Sequence, residues 1–329
     1  MKIIDRTLTT LDSILPNGKL LINLCEKLAE CGVDFIEISV PVLLAIGIDN
    51  LPKNVNYILH IHSLDEHYAF PQLTRFSCSC CTEENYNQMI TQFQVNDIRE
   101  IQKLRNFQSK NINARIIGLD DIIMHDYRYY FKILQNIFGN NLDICPQNKY
   151  GCATAIAVEW AISGGKSVSA SYSGIGGFAP LEEVIVALRI KTRRKPNKNL
   201  KTLCEIKDIY TKITHSVIPR NKPVLGEGIF VVEAGIHTDG ISKNPLTYEP
   251  YDPTIIGENR SIVIGKHSGT KSIQMKLAEN NIPTSKKEIP SLLKAVQKEI
   301  TQLGRSLKDE EFLQLYMEVK AHEKEKISD

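Results

Sequence analysis

The sequence predicts an α/β protein in which a parallel sheet, closed or open, is followed by a small helical region. The first observation is that short apolar runs alternate with amphipathic segments up to about residue 190, as in MKIID, LLINLCEKLAECG and VDFIEISV. The second is that KEIPSLLKAVQKEITQL and DEEFLQLYMEVKAHEKEK, near the end, have helical apolar spacing. Alternating strands and helices are typical of a parallel sheet.

The strand candidates number seven, one fewer than a (β/α)8 barrel requires. After the first of them, Leu21, Leu24, Cys25 and Leu28 recur at helical spacing, and Gly32 ends that helix. The region therefore either lacks one βα unit or contains one that the pattern does not reveal. The candidates are MKIID, VDFIEISV, Tyr57–Ile61, Thr74–Cys78, Ala114–Gly118, Leu142–Cys145 and Ser167–Tyr172.

Composition and charge exclude several classes of function. The chain has 329 residues, of which 42% are hydrophobic and 24% charged, as in a soluble globular protein with one large and one smaller domain. Its net charge of +2 gives no field that favours nucleic acid. We find no apolar run of roughly 18 residues and no signal peptide, so we expect no membrane partner. Eight cysteines without a disulfide spacing favour a reducing cytoplasm.

Three dense motifs follow in the second half: EAGIHTDG (Glu233–Gly240), TYEPYDP (Thr247–Pro253) and IGKHSG (Ile264–Gly269). Together they resemble the linker subdomain of the homocitrate synthase and isopropylmalate synthase family, whose members join acetyl-CoA to a 2-oxo acid. The resemblance implies a TIM-type (β/α)8 barrel, here degenerate or shortened, then the linker subdomain and a small C-terminal helical region. The predicted domains are residues 1–195, 196–275 and 276–329.

In the barrel half, the positions that carry chemistry in this family differ. The run Asp5-Arg6-Thr7-Leu8-Thr9-Thr10 resembles D-T-T-L-R-D-G, but Thr9 replaces the arginine that polarises the oxo-acid carbonyl, which leaves enolate charge without a cation there. Cys145 and Gln147 replace the two metal-binding histidines of H-x-H-N-D-x-G. Since glutamine is a poor ligand for a transition metal, we expect no metal at the degenerate positions Asp5, Cys145 and Gln147.

A third barrel segment, Ser173–Glu183, resembles N-G-I-G-E-R-A-G-N-x-x-L-E-E. It keeps Gly174-Ile175-Gly176 and Leu181-Glu182-Glu183 but lacks the E-R and A-G-N between them. Three signatures thus differ at their functional positions, while the packing residues around them remain. This pattern predicts loss of catalysis in the barrel rather than loss of the fold.

In the linker half, the functional positions are kept. His237 matches the family histidine that helps proton transfer at the acetyl methyl group, and Tyr248 matches the tyrosine that works beside it. A weak carbon acid needs such a positioned base. Asp239, two residues after His237, is predicted to orient the ring. The alternative is that these motifs keep their shape for packing alone, because their glycines and prolines also encode turns.

Two other clusters have a simpler interpretation than the one their residue types suggest. His60 and His62 have the spacing of a metal-binding pair on a strand, yet we interpret them as structural or surface histidines. Cys78, Cys80 and Cys81 suggest soft-metal chemistry, but no second cysteine pair at zinc spacing follows, so we expect ordinary thiols.

The basic stretch Arg189–Lys201 has seven basic residues and no acid. We expect it to be a helix end and a solvated linker. The alternative is a patch for the phosphates of coenzyme A.

The resemblance extends to a functional hypothesis. In this family the linker subdomain reaches onto the barrel of a partner, so a chain with an intact linker and an inactive barrel resembles the omega-type subunit of the split homocitrate synthases of nitrogen-fixing bacteria. We therefore predict an acyltransferase subunit that donates His237, Tyr248 and Asp239 to a homologous alpha-type chain, or a homodimer. No cofactor is expected in this chain, a divalent metal is expected in the partner's barrel, and acetyl-CoA is the co-substrate.

Three alternatives stay open at this level. In the first, the chain is a non-catalytic partner that regulates or stabilises a synthase. In the second it is an autonomous enzyme with a repurposed barrel pocket, and in the third it is an isopropylmalate synthase-like enzyme. The absence of the further regulatory domain of typical isopropylmalate synthases favours 2-oxoglutarate over 2-oxoisovalerate as the oxo acid.

Overall fold

The computed structural model describes residues 1–79, 88–108, 111–195, 197–233, 235–283, 285 and 288–328. The chain divides into two compact units, Met1–Pro219 with Pro223–Leu225 and Arg220–Lys222 with Gly226–Asp329. The predicted domain boundaries after residues 195 and 275 stay predictions. In the ranges just given, no helix is both long and apolar enough to span a bilayer.

The first unit contains a closed barrel of eight parallel strands in sequence order, in which β8 pairs with β1. This confirms the predicted TIM-type α/β barrel. The strands are β1 Lys2–Asp5, β2 Phe35–Ser39, β3 Tyr57–Ile61, β4 Phe76–Cys78, β5 Met89–Val95, β6 Asn113–Gly118, β7 Leu142–Pro146 and β8 Ser167–Ala170.

The predicted count of seven strands is wrong, because MITQFQV forms β5. Polar residues alternate with apolar ones in this strand; Gln92 contacts Glu37 on β2, and Gln94 contacts Gln147, which directly follows β7. A barrel interior is usually filled by branched apolar side chains, so a strand with glutamines on its inner face has no clear apolar pattern. The barrel has its full set of eight strands.

In the described residues, a full α-helix follows β1, β6, β7 and β8, whereas the helical elements after β2, β3 and β5 are shorter or of the 3-10 type. The helix after β3 has 6 residues, and after β5 the chain forms a 3-10 helix, Ile98–Phe107, which Asp97 and Glu100 close with a capping box. The α-helices are α1 Gly18–Cys31, α2 Val40–Ile46, α3 Leu64–Ala69, α4 Tyr127–Phe138, α5 Ala153–Ile162, α6 Leu181–Thr192 and α7 Thr202–Thr214.

The basic stretch lies at the C-terminal end of α1. Gly32 ends this helix in the left-handed region (φ 109°), which favours glycine. Lys195 Nζ donates to the carbonyl of Gly32 (3.0 Å) and Lys198 Nζ to that of Ala29 (3.3 Å), while Arg194 donates to Gly32 and pairs with Asp34. Cations here satisfy terminal carbonyls and oppose the negative end of the helix dipole. The stretch contains the end of α6, at Thr192, but Arg194 and Lys195 pair with Asp34 and do not form the expected solvated linker.

Two layers of side chains fill part of the barrel interior. Near the N-terminal ends of the strands, Ile4, Phe35 and Ile58 form an apolar cluster, with Ile90 packed against it. This small cluster closes the barrel interior on the side opposite the strand C-termini. Catalytic groups of TIM barrels lie at the C-terminal ends, so residues of this lower layer usually serve stability.

Above that cluster lies a buried ionic cluster, consisting of Glu37, Arg115 and Asp143. Arg115 Nη1 donates to Glu37 Oε2 and Arg115 Nε to Asp143 Oδ2, both at 2.5 Å. Ser77 and Ser169 donate to the two carboxylates at 2.6 Å. Burial by itself raises the pKa of Glu37, but the nearby guanidinium groups, Arg115 foremost, lower that pKa to about 2.

The second unit is mainly helical. Its two short strands, β9 Val231–Val232 and β10 Ser261–Ile262, form a parallel pair. Its helices are α8 Gly235–Lys243, α9 Thr270–Glu279, α10 Glu288–Leu303 and α11 Asp309–Ser328, which confirms the predicted helical C-terminal segment. They enclose an apolar core formed by Ile262, Ile264, Ile273, Leu277, Ile289, Leu292, Val296, Ile300, Leu307, Phe312 and Tyr316.

Replacing Arg115 by methionine is expected to destabilise the barrel by about 3–5 kcal/mol, because Glu37 and Asp143 would remain buried without a counter-charge. Trp160, the single tryptophan, is buried in this unit, so its fluorescence during urea unfolding reports on the barrel. Adding Glu37→Leu to Arg115→Met is expected to restore part of the loss. The exposed Arg105→Met is the control, and equal stability of the Arg115 and Arg105 variants would contradict this role of the cluster.

Candidate functional site

The structure brings together two of the predicted catalytic residues in the second unit. His237 lies on α8 and Tyr248 follows the 3-10 turn Pro245–Thr247, and their ring centroids are 5.0 Å apart at an interplanar angle of 45°. Both side chains are exposed, Tyr248 at 43%. The pair therefore presents an imidazole and a phenol side by side on the surface of this unit.

A glycine makes this arrangement possible. Gly240 is three residues after His237 and so lies on the same face of α8. A Cβ atom on Gly240 would lie 2.1 Å from Tyr248 Cε2, so the tyrosine ring packs directly on the helix backbone. The loop behind the ring is fixed by Glu249, whose carboxylate receives two hydrogen bonds of 2.8 Å from the guanidinium of Arg260.

Asp239 lies in a different environment. Its carboxylate accepts a hydrogen bond from Lys243 Nζ (2.6 Å) and lies 3.8 Å from Lys271 Nζ. The Lys243 hydrogen bond lowers the pKa of Asp239. Because residues two apart on a helix do not face each other, the helical conformation directs Asp239 to another side from His237. That Asp239 orients the imidazole stays a prediction, and these contacts favour a role in holding α8.

The third motif is bound to the first. His267 N donates to Glu233 Oε1 (2.9 Å), and Ser268 Oγ donates to the carbonyl of Glu233 (3.0 Å) while it accepts from Gly265 N. The segment Ile264–Gly269 thereby fixes the start of α8. Lys266, His267 and Glu233 also line a cavity of about 420 Å³ with residues of the α10–α11 turn.

Two large apolar side chains of the same region are exposed. Ile236, next to His237, is 73% exposed, and Leu246, two residues before Tyr248, is 74% exposed. By contrast, Phe230 is buried and its ring packs edge-on against Tyr251, 5.6 Å between centroids. Exposed apolar side chains thus lie beside the His237–Tyr248 pair.

In the barrel, the three positions of the predicted degenerate metal site do not form one cluster. Thr7 donates to the Asp5 carboxylate through Oγ1 (2.5 Å) and N (3.1 Å). Gln147 accepts from Gln94 Nε2 at 2.9 Å. Because successive residues of a strand point to opposite faces, Asp5 lies on the other face from Arg6, whose side chain is the one that reaches Cys145.

Arg6 is the site residue that sequence reasoning missed. Its Nη1 lies 3.5 Å from Cys145 Sγ, its Nε lies 3.3 Å from Glu37 Oε2, and its guanidinium carbon lies 4.7 Å from the centre of the Phe178 ring. The sequence signal that could have found Arg6 is the period of two along β1, which places Ile4 and Arg6 on one inner face. A fixed guanidinium beside the thiol does not suit a metal dication. In the described ranges, no group of histidine, cysteine and acidic side chains could hold a metal ion.

Thr9, which replaces the arginine of the D-T-T-L-R-D-G pattern, and Thr10, at the position of the following acid, act as local caps. Thr9 Oγ1 donates to the carbonyl of Arg6 (2.8 Å), and Thr10 Oγ1 donates to that of Thr7 (2.7 Å). Both bonds lie within the short 3-10 helix Thr7–Thr10 and its preceding residue. In the third segment, Glu182 accepts a hydrogen bond from Ser173 N at 2.8 Å, so the retained residues there fix a loop.

The histidine pair makes contacts within the fold, whereas two of the three clustered cysteines lie outside the described residues. His60 Nδ1 lies 3.1 Å from Ser77 Oγ, and the His60 and His62 rings pack edge to face with centroids 5.0 Å apart. Burial lowers the pKa of His60. Cys78 is buried, whereas Cys80 and Cys81 lie outside the described residues.

Comparison with known proteins places this geometry in a family. Residues 224–298, which contain all three linker motifs, match the family described as "Homocitrate synthase post-HMGL domain-like". The homocitrate synthase omega subunit of Clostridium pasteurianum is 30% identical over 337 aligned positions, which cover 96% of this chain and 95% of that protein. The chain belongs to the homocitrate synthase and isopropylmalate synthase family.

Other relatives are members of the same family, and a solved structure shares the fold. The 2-isopropylmalate synthase 2 of Caldanaerobacter subterraneus is 29% identical over 93% of this chain and 79% of its own length. The homocitrate synthase AksA of Methanothermobacter thermautotrophicus is 36% identical over 58% of this chain, which spans only 50% of AksA. The HMG-CoA lyase of Bacillus subtilis, at 15% identity, shares the fold with a TM-score of 0.51 over 66% of this chain and 95% of its own.

Gly240→Ala is expected to change the stability of the second unit with a sign that depends on Tyr248. In the native chain the added Cβ collides with the ring, and overpacking costs about 1–3 kcal/mol. In a Tyr248→Ala background the collision is absent, and alanine should stabilise the helix by about 0.5–1 kcal/mol. Thermal unfolding of the four chains measures both effects, and stabilisation in both backgrounds would contradict the close packing of Tyr248 on α8.

The buried Asp5 is expected to make stability fall between about pH 4 and pH 7. Burial raises its pKa from 3.8 to about 7, so the folded chain keeps a proton that the unfolded chain releases as the pH rises. This shift amounts to at most about 4 kcal/mol. His60, whose pKa is lowered by burial, makes stability rise with pH in this range. The contribution of Asp5 is therefore measured by comparing the native chain with a variant that lacks this carboxyl group.

Asp5→Asn removes the Asp5 titration and leaves that of His60, so its stability should fall less than that of the native chain between pH 4 and 7. Urea unfolding followed by Trp160 fluorescence at several pH values measures the difference. Asp49→Asn, at an exposed position, is the control. Parallel pH profiles for the native chain and Asp5→Asn would exclude a raised pKa.

Proposed function

We propose that this chain is an acyltransferase subunit that completes the active site of a partner chain with a metal-binding barrel. The observation that carries the proposal is the contrast between the two units. His237 and Tyr248 lie together, exposed, on the second unit. In the barrel, by contrast, Cys145 contacts Arg6, and Glu37 is bound by Arg115, so these side chains are engaged within the fold.

The proposed reaction is the condensation of acetyl-CoA with 2-oxoglutarate and water, which gives homocitrate and coenzyme A. The methyl group of the thioester must lose a proton before its carbon attacks the ketone, and then water hydrolyses the thioester. His237 would accept or relay the methyl proton, and the Tyr248 hydroxyl would hydrogen-bond the developing enolate oxygen. The divalent metal that polarises the ketone would belong to the partner's barrel.

The barrel of this chain supports the proposal that the partner's barrel, and not its own, binds the metal and the ketone. Arg6 contacts Cys145, and Thr9 and Thr10 bond to backbone carbonyls, so the side chains at these positions are engaged within the fold. The name of the Clostridium pasteurianum relative, an omega subunit, implies a partner subunit for that protein. For this chain we propose a homologous alpha-type partner, with the exposed Ile236 and Leu246 at the edge of the contact.

A second candidate is a partner that stabilises or regulates a synthase without contributing catalytic groups. The observation that favours it is the network of the second unit, in which Glu249, Glu233 and Ser268 fix the motif segments by hydrogen bonds. These residues would also be needed if the motif segments only kept the shape of the second unit and took no part in catalysis. The two candidates differ in what the loss of His237 does to an assembled complex.

In a complex reconstituted from this chain and an alpha-type chain, His237→Ala and Tyr248→Phe are each expected to lower kcat about 10²–10⁴-fold without loss of assembly. Release of free thiol from acetyl-CoA with 2-oxoglutarate and Mn²⁺, Mg²⁺ or Zn²⁺ measures the rate, and light scattering measures assembly. Thr9→Ala and Gln147→Ala are the controls and should change the rate little. Native turnover in an assembled His237→Ala complex would support the second candidate, and turnover by the lone chain would exclude the subunit hypothesis.

A further inference from the structure

We propose that the N-terminal opening of the barrel, the face opposite the strand C-termini, binds a small organic acid through its carboxylate. A cavity of about 420 Å³ lies there, between the strand starts of the first unit. Its size lies within the range of small-molecule sites. In TIM barrels this face usually serves stability, so an open cavity on it calls for another explanation.

The inner wall of the cavity is apolar. Ile4, Phe35, Ile58 and Ile90, the lower layer of the barrel interior, all line it. Ile90 is only partly buried, although it packs against this cluster. Covering this wall with a hydrocarbon body would remove apolar surface from water, so the cavity favours an organic ligand over an inorganic ion.

The rim of the cavity is cationic. Lys2, Arg75 and Lys166 line it. Lys2 Nζ and the Arg75 guanidinium carbon lie 5.7 Å and 4.5 Å from the centre of the same ring, that of Phe35. Two like charges beside one ring repel each other, and an anion placed near both would be attracted by each.

These cations have no described counter-charge. Within the part of the chain that the structure describes, no ion pair joins Lys2, Arg75 or Lys166 to a carboxylate. Asp143 also lines the cavity; Arg115 pairs with its Oδ2 at 2.5 Å and offsets its charge, while its Oδ1 is buried without a hydrogen-bond partner in the described ranges. The described lining of the cavity therefore carries an excess of positive charge at the opening, which a carboxylate would neutralise.

A polar atom within the cavity adds an independent indication. Ser167 lines the cavity, and its Oγ is buried without a hydrogen-bond partner in the described ranges. Most buried hydroxyl groups have a partner, so such an atom indicates a missing ligand or water. After rotation about χ1 toward the cavity, Ser167 Oγ–H can donate to a carboxylate oxygen. Cations, a hydroxyl donor and an apolar wall together fit a carboxylate with a hydrocarbon body.

The test uses methyl NMR on the full chain with ¹³C-labelled isoleucine methyl groups. Ile4, Ile58 and Ile90 report on the cavity, Ile273 in the core of the second unit is the internal control, and Ile→Val variants assign the signals. The probes are isovalerate and 3-phenylpropionate, with their neutral amides and inorganic phosphate as comparisons. We expect both acids to shift the three cavity methyl signals, with binding that weakens at high salt.

The amides should bind about tenfold more weakly or worse, because they lack the charge-assisted contacts. Arg75→Gln and Lys166→Gln should each reduce the affinity for the acids by about tenfold, whereas Lys53→Gln, an exposed position away from the cavity, should not. Equal binding of acids and amides would overturn the proposal, and so would unchanged affinity in both rim variants. Shifts with phosphate alone, or none with any probe at millimolar concentration, would overturn it as well.

Discussion

The buried guanidinium of Arg115 is the interaction on which the barrel depends. It bridges Glu37 on β2 and Asp143 on β7, strands that are not neighbours in the closed sheet, and so ties the barrel together through its interior. A second guanidinium, that of Arg6, shares Glu37 with it. Charges taken out of water are stable only when they are paired and hydrogen-bonded, so each of these residues requires the others. An interior organised in this way has little freedom to accept a metal ion as well.

The same constraint explains which parts of the fold the sequence could predict. The amphipathic helices and the apolar strands follow from periods of 3.6 and 2, so α1, β2 and the C-terminal helices could be recognised. Strand β5 could not, since its inner face carries Gln92 and Gln94 beside a polar interior. The period of two along β1 could have placed Arg6 inside, but its contacts with Glu37 and Cys145 join distant parts of the chain and are not encoded by local pattern.

The candidate site shows a similar limit. The motifs were enough to single out His237 and Tyr248, and the structure places their rings 5.0 Å apart. The reason for this proximity is a glycine that allows a ring to lie on a helix backbone. The motif does not encode this three-dimensional contact. For Asp239 the motif suggested a contact with His237 that the helix does not favour. A spacing of two residues places side chains on the same face of an extended segment but separates them on a helix. The conformation of the motif therefore decides which of its polar residues meet.

The contacts of the basic stretch with the end of α1 have a consequence for folding. Arg194 donates to the carbonyls of Met1 and Gly32, which lie 193 and 162 residues away along the chain. During synthesis, the first helix is complete long before its cap has left the ribosome. Contacts of such sequence separation slow folding, and the barrel must stay partly unfinished until the segment near residue 195 arrives. A nascent chain halted before that point would expose the end of α1 and is a natural target for a chaperone.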